Sequence, residues 1–415
     1  MDKLQIEGPC QLSGNVKISR SKNAYLPILV AALLSSKPIH LKNLPDLRDI
    51  KTILKLLEKL GVKISRNGNI TTLDSSNITS YEALYDMVKT MRASILVLGP
   101  LLARFKTAKV SLPGGCAIGT RPIDIHLTNF EKLGAKITLQ GGYVEAQTEG
   151  LKGTTLVLKF PSVGATENLM MAAVFAEGVT IIENAALEPE IVDLGNFLKK
   201  MGAKISGHGS SNITIEGVTE LKEVEYEAIG DRIEAATYIM AGLITNSPIK
   251  VEGFDPRHLD AVLNVLGDMG AKLEIGKDFV LVKPSELKGT KVETSPFPGF
   301  PTDAQAQLMA LAIKAQGSTI ITEKIFENRF MHAPELQRLG ANIFLKGNTA
   351  IIEGKSDLKG APVMCTDLRA SAALVLAALA SEGVTEIDRI YHLDRGYEKM
   401  EEKLLQIGAK IKRIK

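Results

Sequence analysis

Leu133-Gly134-Ala135-Lys136-Ile137 is one of six near-copies of the same phrase in a chain of 415 residues. The glycines of the six copies lie 68 to 73 residues apart, at Gly61, Gly134, Gly202, Gly270, Gly340 and Gly408. Near-constant spacing of this kind indicates one supersecondary unit that is repeated along the chain. Each glycine follows apolar residues at helical spacing and precedes a short alternating run. The phrase therefore predicts the end of a helix followed by a strand.

The rest of the unit is visible in two further segments that resemble each other. An Ala- and Leu-rich helical pattern leads through Glu177-Gly178 to the alternating run 179–183, and residues 378–387 repeat this sequence pattern. A loop and a second helical pattern come next, before the Gly-Ala-Lys phrase. Each unit therefore reads as helix, strand, helix, strand and strand, which predicts an α/β fold with mixed sheets.

The sixth unit stops at Lys415 before its final strands, and the N-terminal segment supplies what is missing. Residues 6–16 resemble residues 352–363, so we expect them to complete the sixth unit. Six units divide evenly into two domains of three units each. Clefts between domains are favoured ligand sites. The expected domains, each of about 200 residues, are residues 22–230, and residues 231–415 together with 1–21.

Composition narrows the class of protein. The formal net charge is +3 with lysines and arginines spread along the chain, which does not favour nucleic-acid binding. Cys10, Cys116 and Cys365 form an odd set without metal-ligand spacing, typical of a reducing compartment. The sequence contains no signal-peptide core, no membrane-spanning apolar stretch and no glycine-rich nucleotide loop. We therefore expect a soluble cytoplasmic protein with no membrane insertion, no metal and no cofactor.

The loop around Cys116 is the strongest candidate for a chemical site. Residues 112–124 contain three glycines and two prolines, with Arg121 five positions and Asp124 eight positions after the cysteine. A nearby cation lowers the pKa of a thiol, so Cys116 could exchange its proton near neutral pH. The alternative is a small buried hydrophobe, the usual state of a free cysteine. The glycine content of the loop favours the functional interpretation.

A second set of candidates lies at the predicted start of the first helix of each unit. A helix N-terminus offers unpaired N–H groups and a partial positive charge, so Ser162, Thr302 and Thr366 are ordinary capping residues there. Cations oppose the helix dipole at this end. Four cations nevertheless stand at this end, and they predict an anionic ligand such as a phosphate or carboxylate. These residues are Lys22, Arg92, Arg232 and Arg369.

A third set follows the first predicted strand of each unit. Its members are Arg48, Glu188, Glu190, Arg257, Arg329 and Arg395. A lone surface arginine usually has only solvent around it, whereas arginines at equivalent positions in several units suggest ligand contact. His332 and His392, which lie close to two of these arginines, are either acid–base groups or hydrogen-bonded structural histidines.

These residues closely resemble the enolpyruvyl transferases along essentially the whole chain. The resemblance implies two similar domains, each of three α/β units around a pseudo-threefold axis, an inside-out α/β barrel. It also implies transfer of the enolpyruvyl group of phosphoenolpyruvate to the 3-hydroxyl of UDP-N-acetylglucosamine with release of phosphate, the first committed step of peptidoglycan synthesis. The segments that carry it are residues 22–29, 88–94, 112–124, 162–166, 300–303, 326–332, 366–371 and 394–398.

The resemblance further implies roles for individual residues. Cys116 would protonate the methylene carbon of phosphoenolpyruvate, Asp303 would accept the proton of the sugar hydroxyl, and Lys22 and Arg395 would also be catalytic. The positions matched to phosphoenolpyruvate binding are Lys22, Asn23, Arg121, Arg369 and Arg395. Those matched to the UDP-sugar are Arg92, Arg121, Pro122, Ile123, Asp124, Ile125, Ser162, Val163, Gly164, Asp303 and Ile325. The supporting residues of the anion pocket are Arg329 and Asp367.

Two departures from the family pattern leave alternatives open. Arg20-Ser21 stands where the family usually has Gly and Ala, and Ser21-Lys22 is similar to the shikimate-phosphate enolpyruvyl transferases. Those enzymes lack the Pro-Gly-Gly-Cys loop. Phe160-Pro161 replaces a lysine that some relatives carry on the uracil side. A non-catalytic paralogue that binds UDP-sugar is a further alternative, although every proposed catalytic position is filled.

Overall fold

The computed structural model describes residues 2–88, 91–112 and 123–415, and of Met87 and Arg92 it describes the backbone alone. Cys116, Arg121 and Pro122 lie outside the described residues. The described chain forms two compact units, residues 20–229 without the gaps, and residues 2–19 with 230–415. We propose that these units are the two domains expected from the repeat, with limits that differ from the expected ones by one or two residues.

Two strands open the chain and belong to the C-terminal unit, β1 (Lys3–Gly8) and β2 (Gly14–Lys17). Short 3-10 turns at Ala32–Leu34 and Arg92–Val97 accompany the helices of the N-terminal unit. In chain order its elements are α1 (Lys22–Ala31), β3 (Ile39–Lys42), α2 (Arg48–Leu60), β4 (Lys63–Asn67), β5 (Ile70–Asp74), β6 (Glu82–Ala83), α3 (Tyr85–Val88), α4 (Leu98–Phe105), β7 (Thr107–Ser111), α5 (Asp124–Lys132), β8 (Lys136–Gln140), β9 (Tyr143–Gln147), β10 (Thr155–Val157), α6 (Val163–Ala173), β11 (Val179–Glu183), α7 (Pro189–Lys200), β12 (Lys204–Ser206), β13 (Asn212–Glu216) and β14 (Val224–Tyr226).

The C-terminal unit continues with the same kinds of element. It contains 3-10 turns at Pro256–Leu259, Thr302–Ala304 and Leu393–Arg395. In chain order its helices and strands are α8 (Arg232–Ile244), β15 (Ile249–Glu252), α9 (Asp260–Asp268), β16 (Lys272–Ile275), β17 (Phe279–Lys283), β18 (Lys291–Glu293), α10 (Gln305–Ala312), β19 (Ser318–Thr322), α11 (Ala333–Arg338), β20 (Asn342–Lys346), β21 (Thr349–Glu353), β22 (Pro362–Met364), α12 (Leu368–Ala380), β23 (Gly383–Asp388), α13 (Met400–Gln406) and β24 (Ile411–Ile414).

The repeated phrase folds as predicted. All six of its glycines are left-handed, with φ between 95° and 110°, a conformation that side-chain-bearing residues rarely adopt. Gly61, for example, caps α2 and donates its N–H to Glu58. A strand begins two or three residues after each glycine, as β4 does at Lys63.

Within the described residues the strands form six four-stranded sheets, three in each unit. Each sheet has one parallel strand of two to four residues at its edge and three antiparallel strands of three to six residues, as in the order β6-β7-β9-β8. The five-element unit read from the sequence is therefore one strand short, because a strand of two to four residues has too few positions to show an alternating pattern.

Strands from distant parts of the chain complete three of the sheets. In the C-terminal unit, β1 lies between β23 and β24 with Leu4 opposite Ile387, and β2 pairs with β15. In the N-terminal unit, β14 pairs with β3. The missing strand of the sixth repeat is thus residues 3–8, the position expected from their likeness to residues 352–363.

Helices lie at the centre of each unit and sheets lie around them. Helices α8, α10 and α12 pack against one another. In the N-terminal unit α6 packs against both α1 and α4, and α4 packs against the 3-10 turn Ala32–Leu34 that follows α1. Every residue of α8 and α10 is buried, as expected for helices that are apolar on all sides. The predicted fold class is confirmed. Among the helices that the structure describes, none is both long and apolar enough to cross a bilayer.

Candidate functional site

In the C-terminal unit, the carboxylate of Asp303 is held by two arginines from different repeats. Asp303 lies in the 3-10 turn Thr302–Ala304 before α10, and its side chain is 32% exposed. Arg329 Nη2 lies 2.9 Å from Oδ1 of Asp303, and Arg369 Nη2 lies 3.5 Å from Oδ2. The arginine side chains are only 4% and 6% exposed. The structure thus brings together three of the predicted site residues around one carboxylate that solvent can reach.

Arg369 is a cation in the first turn of α12, where the helix dipole is unfavourable to it. Asp367 caps the same helix and accepts hydrogen bonds from the backbone N–H groups of Arg369 (2.9 Å) and Ala370 (3.1 Å). Burial disfavours the charge on Arg369, but Asp303 and Tyr397 more than offset it, so the pKa of Arg369 is raised. The carboxylate of Asp303 therefore supplies part of the anionic partner that the sequence predicts for this position.

His332 lies in the turn after Arg329 and is 1% exposed. Burial lowers the pKa of His332 to about 4, with Asp367 acting in the opposite direction and Arg329 in the same direction. The imidazole is therefore neutral at pH 7. Burial of the ring argues against the acid–base role, one of the two open to this histidine.

Glu323 is a buried carboxylate that sequence reasoning missed. It is 2% exposed and accepts hydrogen bonds from the hydroxyls of Thr294 and Thr302, both at 2.8 Å. It also accepts from the backbone N–H groups of Ile325 (2.8 Å) and Phe326 (3.1 Å). Glu323 thereby joins the turn that carries Asp303 to the segment that carries Ile325. Its only sequence signal is an acidic residue directly after a buried strand.

Arg395 ends the 3-10 turn Leu393–Arg395 and is half-buried. The turn is held by its neighbour Asp394, whose oxygens lie 2.7 and 3.1 Å from the guanidinium of Arg413. Arg413 also contacts Glu401 at 2.6 Å. The ion pairs fix the backbone that presents Arg395.

In the N-terminal unit, Lys22 is the first residue of α1, and its ammonium lies 3.3 Å from Oδ2 of Asp49. The two side chains are 9% and 6% exposed. A buried ammonium needs a nearby counter-charge, and Asp49, in the first turn of α2, supplies one. Sequence reasoning named the neighbouring Arg48 and missed Asp49. Asn23 is half-buried beside Lys22.

Ser162, Val163 and Gly164 form the start of α6. The hydroxyl of Ser162 accepts a hydrogen bond from the N–H of Ala165 at 3.3 Å, the predicted cap. A Cβ on Gly164 would lie 3.6 Å from Cε1 of His126 in α5. Ile123, Asp124 and Ile125, which open α5, therefore belong to the same part of the N-terminal unit as Gly164.

Some details of the sequence interpretation are wrong. Thr302 does not cap a helix, since its hydroxyl donates to Glu323, and the cap of α12 is Asp367 rather than Thr366. Arg48 and Glu190 lie in the first turns of α2 and α7 rather than in loops. The backbone of Arg92 begins a 3-10 turn that leads into α4, so a helical N-terminus is present there in a tighter form than predicted.

The two described cysteines are poor nucleophiles. Cys10 is 5% exposed and Cys365 is fully buried. Burial raises the pKa of Cys10, and it raises the pKa of Cys365 to about 12. Among the described residues, no group of three or more His, Cys, Asp or Glu side chains is arranged to hold a metal ion.

Comparison with known proteins gives consistent results along the whole chain. The family model of EPSP synthase (3-phosphoshikimate 1-carboxyvinyltransferase) matches residues 6–404. Two curated relatives, from Geotalea uraniireducens and Pectobacterium carotovorum, are both named UDP-N-acetylglucosamine 1-carboxyvinyltransferase. Each is 54% identical to this chain and is matched over at least 99% of both lengths.

Solved structures agree with this assignment. The enolpyruvyl transferase NikO from Streptomyces tendae has a TM-score of 0.89 and 27% identity, and the match covers 100% of this chain and 99% of NikO. EPSP synthase from Acinetobacter baumannii has a TM-score of 0.78 over the full length of both chains, and at 19% identity it supports the fold alone. The chain therefore belongs to the enolpyruvyl transferase family that the EPSP synthase model describes, together with the UDP-N-acetylglucosamine 1-carboxyvinyltransferases.

Proposed function

We propose that this protein transfers the enolpyruvyl group of phosphoenolpyruvate to the 3-hydroxyl of UDP-N-acetylglucosamine and releases phosphate. The observation that carries the proposal is the carboxylate of Asp303, one third exposed and held by two buried arginines. A base in this setting keeps a fixed orientation toward a hydroxyl that approaches from the solvent side. The choice of acceptor follows the names of the relatives at 54% identity.

In this proposal the C-terminal unit supplies the base and part of the anion pocket. Asp303 accepts the proton of the sugar hydroxyl while Arg329 fixes the carboxylate. Arg369 and Arg395 bind the phosphate or carboxylate of phosphoenolpyruvate, and Asp367 fixes the first turn of α12. Ile325 contacts the sugar nucleotide. Buried cations are effective here because their charge is little screened by water.

The N-terminal unit supplies the remaining contacts. Lys22 and Asn23, at the start of α1, bind phosphoenolpyruvate together with Arg121. The UDP-sugar is bound by the segment 121–125, by Arg92, and by the start of α6 from Ser162 to Gly164. The free N–H groups at the start of a helix suit the diphosphate.

The chemistry proceeds by addition and elimination. Cys116 gives a proton to C3 of phosphoenolpyruvate, which makes C2 electrophilic. The sugar 3-oxygen then forms a bond to C2 as Asp303 takes the hydroxyl proton. In the second stage the thiolate of Cys116 takes a proton back from C3 as the C2–O bond to phosphate breaks and the vinyl ether forms. The departing phosphate takes the proton held by Asp303, so both groups return to their starting states. Cys116 can also add to C2 and hold a covalent phospholactoyl adduct. Its role rests on the sequence.

The proposal includes a place for the reaction. Phosphoenolpyruvate and UDP-sugars are cytoplasmic metabolites, so we expect a cytoplasmic enzyme at the first committed step of peptidoglycan synthesis. It needs no metal and no cofactor, because the thiol and the carboxylate provide both proton transfers.

Phosphate release tests the proposal directly. The protein is incubated with phosphoenolpyruvate and UDP-N-acetylglucosamine together, with each omitted in turn, and with shikimate 3-phosphate as alternative acceptor. Release that needs both phosphoenolpyruvate and the UDP-sugar is the expected result.

Two other results would replace it. Release only with shikimate 3-phosphate would favour the activity named by the family model that matches residues 6–404. No release with either acceptor, from folded protein that still binds UDP-sugar in a calorimeter, would favour a non-catalytic paralogue.

A further inference from the structure

Tyr397, to which the proposed function gives no role, lies at the centre of a buried polar network. Its ring is 2% exposed, and its hydroxyl contacts Thr237 Oγ1 at 2.8 Å, Gln307 Nε2 at 3.1 Å and Arg369 Nη1 at 3.5 Å. Thr237, Gln307 and Arg369 belong to α8, α10 and α12, the three helices that pack together in the core of the C-terminal unit. The phenol therefore contacts one residue from each central helix.

The direction of each hydrogen bond follows from the number of protons available. The hydroxyl of Thr237 has one proton, which it donates to the carbonyl of Ile233 at 2.9 Å. Thr237 Oγ1 must then accept, and it does so from Gln307 Nε2 at 3.1 Å and from the phenol of Tyr397. With its only proton given to Thr237, the Tyr397 oxygen presents its lone pairs to Gln307 and Arg369.

The Tyr397 oxygen accepts a hydrogen bond from Arg369, a residue that the proposed function needs. Arg369 has one terminal nitrogen toward Tyr397 and the other toward Asp303. The guanidinium is planar and rigid, so a contact at one nitrogen constrains the direction of the other. The guanidinium carbon also lies 5.8 Å from the centre of the Tyr397 ring.

Tyr397 is also tied to the turn of Arg395. Its backbone N–H donates to Leu393 at 3.0 Å, within the same turn. A Cβ on Gly396 would lie 2.8 Å from Cδ2 of Leu368, at the start of α12. The turn that carries Arg395 is therefore packed closely against the first turn of α12. Tyr397 is the residue directly after Gly396, where the two turns meet.

We propose that Tyr397 is a positioning residue for phosphoenolpyruvate binding: its oxygen accepts a hydrogen bond from Arg369 and holds the guanidinium in the direction required by the anionic substrate. The inference rests on the proposed function, in which Arg369 contacts phosphoenolpyruvate. Tyr397 acts through Arg369 and not on the substrate itself.

The Tyr397→Phe variant tests this role, because it keeps the buried ring and removes only the acceptor. We expect the KM for phosphoenolpyruvate to rise about tenfold, the scale of one hydrogen bond to a charged group, while the KM for UDP-N-acetylglucosamine changes less than about twofold. Phosphate release gives both constants. A purely structural role would lower the melting temperature without separating the two KM values.

Tyr238→Phe is the matched control. Tyr238 lies on α8, is fully buried, and has no hydrogen-bond partner for its hydroxyl among the described residues. The same chemical change at this site should leave both KM values unaltered. An equal rise in the KM for phosphoenolpyruvate in the two variants would overturn the proposal, since it would reflect general loosening of the core.

A double-mutant cycle with Arg369→Lys tests the route of the effect. Lysine keeps the charge but cannot contact two partners in a fixed plane, so we expect a higher KM for phosphoenolpyruvate in the single variant. Adding Tyr397→Phe should then have little further effect. If the rises in the KM for phosphoenolpyruvate in the two single variants multiply in the double variant, the inference is overturned. An unchanged KM in Arg369→Lys would also overturn it, and this measurement can be made even if Tyr397→Phe does not fold.

Failure of the inference is distinguishable from failure of the proposed function. A wild-type protein that releases phosphate, alongside a Tyr397→Phe variant with an unchanged KM for phosphoenolpyruvate, overturns the inference alone. A folded wild-type protein that releases no phosphate with either acceptor overturns the proposed function and the inference with it.

Discussion

Arg329 and Asp303 form an ion pair at 2.9 Å although they are 26 residues apart in the chain, and the arginine is almost fully buried while the carboxylate remains open to solvent. The pair holds one carboxylate oxygen, Arg369 lies 3.5 Å from the other, and the Asp303 side chain is still 32% exposed. An exposed ion pair would contribute little. Here one partner is desolvated, so the orientation of Asp303 is set before any substrate arrives.

Asp303→Asn should lower turnover by a factor of about 10² to 10⁴, the usual contribution of a general base. Asparagine has nearly the same shape but cannot take up the hydroxyl proton, so substrate binding should change far less than turnover. Steady-state phosphate release measures both. Asp357→Asn, an exposed change in the same unit, is the control and should be fully active. Undiminished turnover in Asp303→Asn would remove Asp303 from the role of base.

Asp49→Asn should raise the KM for phosphoenolpyruvate about tenfold and destabilise the protein by about 3 kcal/mol. Without the carboxylate 3.3 Å away, the buried ammonium of Lys22 loses a nearby negative charge, which weakens both its placement and the stability of the fold. Kinetics and chemical denaturation measure the two effects. Asp46→Asn is a close control, because Asp46 pairs with Lys51 at the surface. Equal effects at residues 46 and 49 would show that burial of the Lys22 pair is unimportant.

A small thiol-reactive epoxide should modify Cys116 and leave Cys10 and Cys365 intact in the native protein. The thiolate is the reactive form, and burial raises the pKa of both described cysteines. Peptide mapping by mass spectrometry locates the label, and protein unfolded in guanidinium should be labelled at all three positions. Preferential labelling of Cys10 or Cys365 under native conditions would contradict the assignment of Cys116. Cys116→Ser should also lose most turnover.

The sequence predicts the fold well where the signal is periodic. Gly61 and its five equivalents recur after the second helix of each repeat. The likeness of residues 6–16 to residues 352–363 locates the strand that lies between β23 and β24. The short edge strands, such as β6 with two residues, could not be predicted because they are too short to show an alternation of apolar and polar residues.

Some site residues can likewise be predicted from the sequence and others cannot. Lys22 and Arg369 stand out because a cation at a helix N-terminus breaks a rule. Asp49, Glu323 and Tyr397 obey every local rule, and their importance comes from partners that are distant in the chain. Such residues become visible only when the packing of the helices is known.

Deletion of residues 2–8 should destabilise the C-terminal unit by about 5 kcal/mol or more. The deletion removes Leu4 and Ile6, both fully buried, each of which contributes about 1.5 to 3 kcal/mol. It also leaves β23 and β24 without the strand between them. Thermal unfolding and solubility measure the loss, and removal of Lys415 alone is the control. A truncated protein with the wild-type melting temperature would mean that β1 is not an integral strand of the sheet.

The stability of the protein should depend on pH through His332. The pKa of this histidine is about 4 in the folded protein because burial disfavours its charge, against 6.5 for an ordinary histidine. Between these values the unfolded chain binds a proton that the folded protein does not. The contribution of His332 to stability is therefore complete above pH 6.5 and falls by about 3 kcal/mol as the pH decreases to 4.

The His332→Gln variant isolates this effect from that of the buried acids. Burial raises the pKa of Asp193 to about 6 and that of Glu234 to about 7, so these groups make stability fall as the pH rises, the opposite sign. The difference in unfolding free energy between wild type and His332→Gln removes their contribution, since both proteins contain them. Wild type should lose about 3 kcal/mol relative to the variant from pH 7 to pH 4. A difference that stays constant over this range, measured by urea denaturation, would mean that His332 accepts its proton as readily in the folded protein as in the unfolded chain.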